Sequence, residues 1–272
     1  MTRRWFLVGI ALAVSAVAEE RVLLVVAHPD DEYTFAARVY RMAKELHGTV
    51  DQVVITNGEA GYRYSQLAEQ FYHASLTEEA VGRARLPEIR RRETLAAGQI
   101  LGIRHHYFLR QKDAKYTLDP DEALRSWDTG LIVRFLAALV RKEQYGFVFT
   151  LLPCRETHGH HRAATMLALR AAQQIPAAQR PVVLGGDPAK AGDPLKEIGG
   201  WPAFRLDRNA SFGLNHSLSY QIVVNWMIAE HKSQGLFQTD CYKHDEERFW
   251  ILDSGAQIPV DKTRRLFEAL AD

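Results

Sequence analysis

The sequence has little cysteine, almost no charge imbalance and no hydrophobic run long enough to cross a membrane. Two cysteines, Cys154 and Cys241, occur in 272 residues, and neither belongs to a C-x-x-C pair, which argues against a thiolate zinc knuckle. The formal net charge is +1, so no basic field indicates nucleic-acid binding. Neither G-x-G-x-x-G nor G-x-S-x-G occurs, which argues against a dinucleotide site and a serine-hydrolase elbow.

The first residues have the composition of an export signal. Two arginines precede an apolar run of 14 residues from Trp5 to Ala18, short of the roughly 20 residues that cross a bilayer. Small residues at Ala16 and Ala18 form a cleavage pattern. We expect residues 1–18 to be a signal peptide, of the general secretory or the twin-arginine type, and the protein to be periplasmic or secreted. An uncleaved membrane anchor is the alternative. Export would permit a disulfide, although two distant cysteines do not establish one.

Residues 19–272 have the length and composition of one globular domain, with 47% hydrophobic and 25% charged residues in the whole chain. Short apolar segments alternate with helical patterns along this domain. The alternation predicts an α/β fold, a Rossmann-like open and mostly parallel sheet flanked by helices. We predict strands at Val22–Val26, Val53–Thr56, His106–Leu109, Phe147–Leu151 and Phe204–Leu206, and helices at Thr34–Leu46, Pro87–Leu101, Asp128–Glu143, His161–Gln174 and Tyr220–Lys232.

Three polar segments interrupt this alternation. Gln66–Arg85 has a helical pattern and is a candidate lid over a site. Gly185–Gly200 is rich in glycine, proline and charge, which predicts a long loop. Tyr242–Glu247 contains histidine and acids, and we interpret it as a solvated polar turn rather than a second metal cluster.

The first predicted strand ends in an unusual concentration of charge. His28, Asp30, Asp31 and Glu32 follow it directly, and ligands of open parallel sheets bind at the carboxyl ends of the strands. Imidazole nitrogens and carboxylate oxygens are zinc ligands. If His28 and Asp31 bind a metal ion, Asp30 is free to act as a base. The alternative, that an acid only caps the next helix, leaves the crowding of charge unexplained.

A second cluster follows the predicted strand Phe147–Leu151. It contains His158, His160 and His161 just before a helix. A hydrolytic metal site needs a third protein ligand and an open position for water. His158 and His161 are three residues apart, so one can bind metal while the other acts as an acid or as an oxyanion donor. A solvated basic loop is the alternative.

Together these motifs resemble those of the PIG-L, or LmbE-like, family of zinc-dependent deacetylases, which remove acetyl groups from N-acetylglucosamine-type substrates. The most specific segment is AHPDDE at residues 27–32. Weaker segments follow in the order typical of the family: TNGEAG at 56–61, IRRRETLAAGQILGI at 89–103 and AEHKSQ at 229–234. The resemblance covers about residues 22–234 and implies a zinc-dependent N-deacetylase.

The resemblance also implies roles for individual residues. By position in the motifs, His28, Asp31 and His161 are the metal ligands. Asp30 is the general base that takes a proton from water. His158 stabilises the oxyanion or protonates the leaving amine.

At one point the sequence departs from the family pattern. The family usually has His-Pro-Asp-His where this chain has His158-Gly159-His160-His161. The acid that could orient a histidine is therefore replaced, and His160 is an alternative metal ligand.

The resemblance further implies that Arg90 contacts the sugar, with a surface helix arginine as the alternative. Glu59 is implied to contact the substrate or to support the metal site, with a similar alternative.

The implied cofactor is Zn²⁺, with Fe²⁺ also possible because histidine and carboxylate ligands discriminate weakly between them. The implied partner is a small-molecule or glycoconjugate amino sugar, with no nucleic acid and no membrane span after processing. Two alternatives are an amidase acting on a larger N-acyl or thiol-sugar conjugate, and an inactive exported carbohydrate-binding homologue. The sequence leaves the oligomeric state unknown.

Overall fold

A computed structural model gives the fold of the protein. It describes residues 20–198, 200, 202–235, 243–252 and 260–271. The expected signal peptide and Cys241 lie outside these ranges, so export and a disulfide with Cys154 both stay predictions.

The strands form a seven-stranded sheet and a separate two-stranded hairpin within the described ranges. They are β1 (Arg21–Val26), β2 (Thr49–Thr56), β3 (His105–Gln111), β4 (Phe147–Leu151), β5 (Val182–Ala189), β6 (Ala203–Asp207), β7 (Ser211–Phe212), β8 (Leu218–Ser219) and β9 (Glu246–Leu252). The order in the large sheet is β3-β2-β1-β4-β5-β9-β6. Neighbours among β1 to β5 are parallel, whereas β9 is antiparallel to β5 and β6. The predicted α/β fold with a mostly parallel sheet is confirmed.

Helices flank both faces of the sheet. They are α1 (Ala36–Tyr40), α2 (Glu69–Tyr72), α3 (Glu79–Leu101), α4 (Pro120–Ser126), α5 (Thr129–Glu143), α6 (Gly159–Gln173), α7 (Tyr220–Glu230) and α8 (Val260–Ala271). Short 3₁₀ or π segments lie at Asp31–Phe35, Arg41–Glu45, Glu59–Tyr64, Gln66–Ala68, Ala177–Gln179, Leu214–His216 and Lys232–Gln234. None of the described helices is both long and apolar enough to cross a membrane.

Central strand β1 is buried on both faces because its alternate side chains enter two separate cores. Leu24 packs with residues of α1, α7 and α8, while Leu23 packs with residues of α5 and α6. Side chains alternate along a strand, which explains why β1 is a continuous apolar run. Because both faces of β1 are covered, the polar residues in this part of the chain lie in the segment that follows its carboxyl end.

Helix α3 begins at Glu79, eight residues before the predicted start near Pro87. Proline removes one helical hydrogen bond. Here the buried face outweighs that cost, since Leu86 and Ile89 pack in a small core with Tyr62 and Leu76. The predicted lid, Gln66–Arg85, is therefore two short helices followed by the first turns of α3.

Two polar segments that were predicted as irregular structure are irregular over only part of their length. Gly185–Ala189 belongs to β5, so the predicted loop begins only after it. The end of the predicted solvated turn begins β9, and Glu247 there is fully buried. Its partner is Arg208, whose Nε lies 3.2 Å from Glu247 Oε1. The two residues are 39 positions apart, so a local sequence pattern does not show their ion pair. The pair explains both the burial of Glu247 and the wrong prediction.

The predicted helix Thr34–Leu46 is also more irregular than expected. It is a 3₁₀ segment at Asp31–Phe35, then α1, then a π segment at Arg41–Glu45.

Candidate active site

Two loops meet beside the carboxyl ends of β1 and β4, which are neighbours in the sheet. The first loop follows Val26 and contains His28, Asp30 and Asp31. The second follows Leu151 and ends at the start of α6, which contains His160 and His161. Sheet topology therefore brings together residues that are about 130 positions apart in the sequence.

Three of these side chains converge in the way a metal ion requires. His28 Nδ1 lies 3.1 Å from His161 Nε2, and His161 Nε2 lies 3.0 Å from Asp31 Oδ1. One ligand atom from each residue lies within 4.8 Å of the other two. Two imidazole nitrogens and one carboxylate oxygen are a donor set that suits Zn²⁺ or Fe²⁺. The grouping predicted from the motifs is thus brought together in space.

Asp31 is held in an anionic state within this group. Its Oδ2 accepts hydrogen bonds from the backbone N–H groups of Ala27, at 3.0 Å, and His28, at 2.8 Å. Burial alone would raise the pKa of Asp31, but the His161 and His28 rings beside it hold that pKa well below its ordinary value. The other oxygen, Oδ1, faces His161. A buried negative charge beside two imidazoles fits a bound cation.

A second histidine group overlaps the first. One ring nitrogen each from His28, His158 and His160 also lies within 4.8 Å of the other two. His160 Nδ1 is 3.0 Å from His28 Nε2, on the opposite side of the ring from His161. Both groups therefore share His28, and the alternative ligand role of His160 stays open on geometry alone.

Asp30 lies beside the candidate metal-binding group of His28, Asp31 and His161 without belonging to it. Its carboxylate Oδ2 is 2.9 Å from Arg90 Nη2. Burial raises the pKa of Asp30 to about 6, against the opposing effect of the Arg90 guanidinium. A carboxylate with a pKa just below neutral is ionised at pH 7 and suits general-base chemistry.

Arg90 is 3% exposed, so its interpretation as a surface helix arginine is wrong. Besides Asp30, its guanidinium donates to the carbonyls of Pro29 and Gly58, the latter at 2.7 Å. Gly58 has a positive φ of 68°, and a Cβ there would lie 2.5 Å from Arg90 Nη1. Glycine at position 58 therefore provides both the turn and the space that Arg90 occupies. Contact between Arg90 and a sugar stays a prediction.

His158 and Glu59 differ in their access to the site. His158 Nδ1 accepts a hydrogen bond from the backbone N–H of His160 at 2.9 Å, so a neutral ring has its hydrogen on Nε2. Burial and the nearby His28 ring strongly lower the pKa of His158, which favours this neutral form. Glu59 is buried, and it is not among the described residues that line the cavity. Its predicted substrate role therefore has no geometric support here.

A cavity of about 380 Å³ opens onto these groups. Its volume suits a small-molecule ligand. Tyrosines 33, 62, 64 and 116 line it together with the site residues. Tyr116 is 62% exposed and packs edge-on against His158, with ring centroids 4.7 Å apart. The cavity thus combines aromatic side chains with the polar groups of the site, as small-molecule sites commonly do.

The family model PIG-L, described as GlcNAc-PI de-N-acetylase, matches residues 23–172, more than half of the chain. The protein belongs to the PIG-L family. The matched region contains His28, Asp30, Asp31, His158 and His161. The family recognised from the motifs is therefore confirmed.

One protein that is similar in sequence to this PIG-L family member is named as a probable deacetylase. A probable N-acetyl-α-D-glucosaminyl L-malate deacetylase 2 from Bacillus cereus is 24% identical over 165 residues. That match covers 61% of this chain and 66% of the relative, just under two thirds of its length.

Solved structures share the fold over most of the chain. N,N′-diacetylchitobiose deacetylase from Pyrococcus horikoshii has a TM-score of 0.56 and 18% identity, covering 86% of this chain and 84% of that one. GalB, a 4-carboxy-2-hydroxymuconate hydratase from Pseudomonas putida, has a TM-score of 0.57 and 17% identity, covering 86% and 96%. The neighbours thus include a hydratase, and at such identities they show the fold alone.

A buried ion pair that the motifs did not predict lies behind Asp30 in this PIG-L family member. His231 Nε2 lies 2.7 Å from Glu32 Oε1, and both side chains are fully buried. Glu32 Oε2 accepts a hydrogen bond from the backbone N–H of Asp30 at 3.1 Å. The signals were the third acid of AHPDDE and the histidine of AEHKSQ, but only the fold brings these segments together. His231 lies outside the matched residues 23–172.

Asp113 was missed as well. Its Oδ1 lies 3.4 Å from His160 Nδ1, and its Oδ2 accepts a hydrogen bond from the backbone N–H of Ala60 at 3.2 Å. It follows β3 in an irregular segment, and no motif marked it.

Proposed function

We propose that the protein is a metal-dependent N-deacetylase acting on an N-acetylglucosamine-type substrate. The observation that carries the proposal is the convergence of His28, Asp31 and His161 on one cavity, with Asp30 and His158 beside them. Deacetylase relatives in the same family support the reaction type.

In this proposal His28, Asp31 and His161 hold a divalent cation, Zn²⁺ or Fe²⁺. The bound cation supplies Lewis acidity, which activates a water molecule and polarises the acetyl carbonyl. Asp31 contributes the negative charge of the ligand set, and its backbone hydrogen bonds fix its orientation.

Asp30 and His158 have separate roles in the proposed reaction. Asp30 accepts a proton from the water that attacks the acetamide carbonyl. The Nε2–H of neutral His158 donates to the oxyanion that forms, a contact whose loss typically lowers kcat about 10²–10³-fold. When the C–N bond breaks, Asp30 returns the proton to the amine. The products are acetate and a free amino sugar.

The cavity supports a sugar substrate. Tyrosines 33, 62, 64 and 116 line the cavity, together with polar groups such as Asp187 and Gln234. The names of two similar proteins refer to N-acetylated glucosamine compounds. Together with the predicted signal peptide, the proposal implies a substrate in the cell envelope or outside the cell.

Acetate release from a panel of N-acetylglucosamine compounds tests the proposal. The panel includes free, β-linked and malate- or inositol-linked sugars, and analogues with longer acyl chains. The metal-loaded protein is compared with Asp30→Asn, which keeps the ligand set, and with His161→Ala, which removes one ligand. His47→Asn is the matched control, because His47 is exposed and asparagine tolerates its φ of 57°.

We expect wild type and His47→Asn to release acetate. Asp30→Asn should bind metal but lose about 10²–10⁴-fold in kcat, and His161→Ala should lose metal. If only longer acyl groups are released, the deacetylase proposal is rejected in favour of the amidase that acts on a larger N-acyl group. Metal binding and sugar binding without turnover of any member would support the inactive carbohydrate-binding homologue instead.

A further inference from the structure

Both ring nitrogens of His28 have partners in the structure. Nδ1 faces the metal-binding group, at 3.1 Å from His161 Nε2 and 3.6 Å from Asp31 Oδ2. Nε2 faces away from that group and lies 3.0 Å from His160 Nδ1. The ring is buried between these two sets of contacts.

The hydrogen positions follow from the chemistry of imidazole. A neutral ring has one N–H and one lone pair. If His28 offers the Nδ1 lone pair to a cation, its hydrogen is on Nε2. The neighbouring His160 Nδ1, at hydrogen-bond distance, must then be the acceptor.

We propose that His160 is a positioning residue that accepts a hydrogen bond from His28 Nε2–H, and so fixes the tautomer and orientation in which His28 presents Nδ1 to the metal. The inference rests on the metal site of the proposed function. It assigns His160 a place behind the ligand rather than on the metal.

The surroundings of His160 favour a fixed ring. It is 1% exposed and lies in the first turn of α6, with the Trp127 ring centroid 5.2 Å away. The carboxylate of Asp113 is the competing partner for the same Nδ1, but at 3.4 Å it lies farther away than His28 Nε2. The backbone N–H of His160 meanwhile donates to His158 Nδ1, which couples the two histidines.

The proposed acceptor is unusual for a metal site. Ligating histidines usually donate their second N–H to a carboxylate, a backbone carbonyl or water, and loss of that partner typically weakens metal affinity about 10–100-fold. Here the partner is another imidazole. The metal affinity of this protein should therefore depend on an acceptor atom at the position of His160 Nδ1.

Three variants test this dependence in the full chain. His160→Asn places an amide oxygen near the position of Nδ1 and keeps an acceptor. His160→Leu fills similar space without an acceptor. Trp127→Phe perturbs the packing around His160 but leaves its hydrogen bonds, and serves as the matched control. Zinc affinity is measured by competition with a chromophoric chelator, and the unfolding temperature of each metal-free variant checks folding.

We expect zinc affinity to fall about 10–100-fold in His160→Leu and to stay within about threefold of wild type in His160→Asn and Trp127→Phe. Zinc X-ray absorption should count the same two imidazole ligands in wild type and in His160→Asn. Equal affinity in wild type and His160→Leu would overturn the proposal. Loss of one imidazole from the zinc shell in His160→Asn would also overturn it and make His160 a ligand.

If His160→Leu does not fold, the comparison between His160→Asn and wild type still decides between a ligand and a positioning residue. A ligand role predicts one imidazole fewer in the zinc shell of His160→Asn, whereas a positioning role predicts no change. None of these readouts uses catalysis. A protein that binds zinc as expected but releases no acetate would therefore reject the proposed function while leaving the role of His160 standing.

Discussion

At the scale of the residue, Asp30 has a backbone conformation that costs energy. Its φ is 102°, a region that residues other than glycine rarely occupy, and such strain costs of order 1–3 kcal/mol. Glu32 accepts the Asp30 N–H, and the Asp30 carbonyl accepts from Tyr33 N at 3.2 Å. Arg90 holds the carboxylate and the preceding carbonyl. The strain is thus held by several buried contacts and sets the direction of the proposed base.

The charge of Arg90 should be visible in the pH dependence of the reaction. The base must be ionised, so activity should fall as the pH drops through the pKa of Asp30, which is about 6 without a bound cation and lower with one. Arg90 lowers that pKa, and an adjacent opposite charge generally shifts a carboxyl pKa by about 1–3 units. Arg90→Gln should therefore move the acidic limb of kcat/KM to higher pH. Arg91→Gln, on the exposed side of the same helix, is the control and should leave it in place.

The measurement is the pH profile of acetate release, with kcat/KM fitted for each variant. A general loss of activity with an unchanged midpoint would show that Arg90 acts through loop structure alone.

At the scale of the element, β9 was missed because its N-terminal half is highly charged. Glu247 looks like surface when only its neighbours in sequence are considered. In the fold its carboxylate accepts from the N–H of Ala37 at 2.8 Å, from the N–H of Arg38 at 3.2 Å and from Arg208 Nε at 3.2 Å. It thereby caps α1, the helix that follows the Asp30 loop. One buried carboxylate links the antiparallel end of the sheet to the segment that supports the site.

Removal of Glu247 should destabilise the whole domain. Glu247→Ala leaves the fully buried Arg208 without its carboxylate, and breaking a buried ion pair generally costs about 3–5 kcal/mol. Urea unfolding measures the change in the free energy of unfolding. Asp261→Ala breaks an exposed pair with Arg264 and should cost no more than about 1 kcal/mol. Equal small effects in both variants would contradict the importance of this pair.

At the scale of the whole molecule, the site is made by two parallel strands and closed by distant segments. The loops after β1 and β4 provide the candidate metal-binding group of His28, Asp31 and His161. His231 and Gln234, near the end of α7, approach it from a part of the chain that follows the matched region. A cation bound between these segments would join groups that otherwise repel one another, notably Asp30 and Asp31.

Metal should therefore stabilise the fold. A ligand that binds only the native state at a concentration of 100 Kd adds about 2.7 kcal/mol, which for a chain of this size raises Tm by roughly 5–10 °C. Scanning calorimetry with Zn²⁺, with Ca²⁺ and after chelation measures this. Ca²⁺ prefers all-oxygen sites and should do little. A Zn²⁺ shift that persists in His161→Ala would place zinc elsewhere.

The sequence by itself determined the fold class and the family, and it predicted the candidate metal-binding group of His28, Asp31 and His161 that the fold brings together. Apolar runs mark β1, β2 and β4 because parallel strands are buried on both faces, and His28, Asp31 and His161 stand out because polar groups follow those runs directly. The predicted helices at 128–143, 161–174 and 220–232 agree with the structure to within two residues at each end.

Only the tertiary structure decided which polar residues are buried and what they face. Charged side chains such as those of Arg90, Glu247 and Asp113 are usually exposed. Their burial, like that of His231, depends on partners tens to hundreds of residues away. A local sequence pattern does not indicate which distant residue a polar side chain will contact. The start of α3 before Pro87 and the position of His160 behind His28 have the same cause, since packing and long-range hydrogen bonds outweigh local preference.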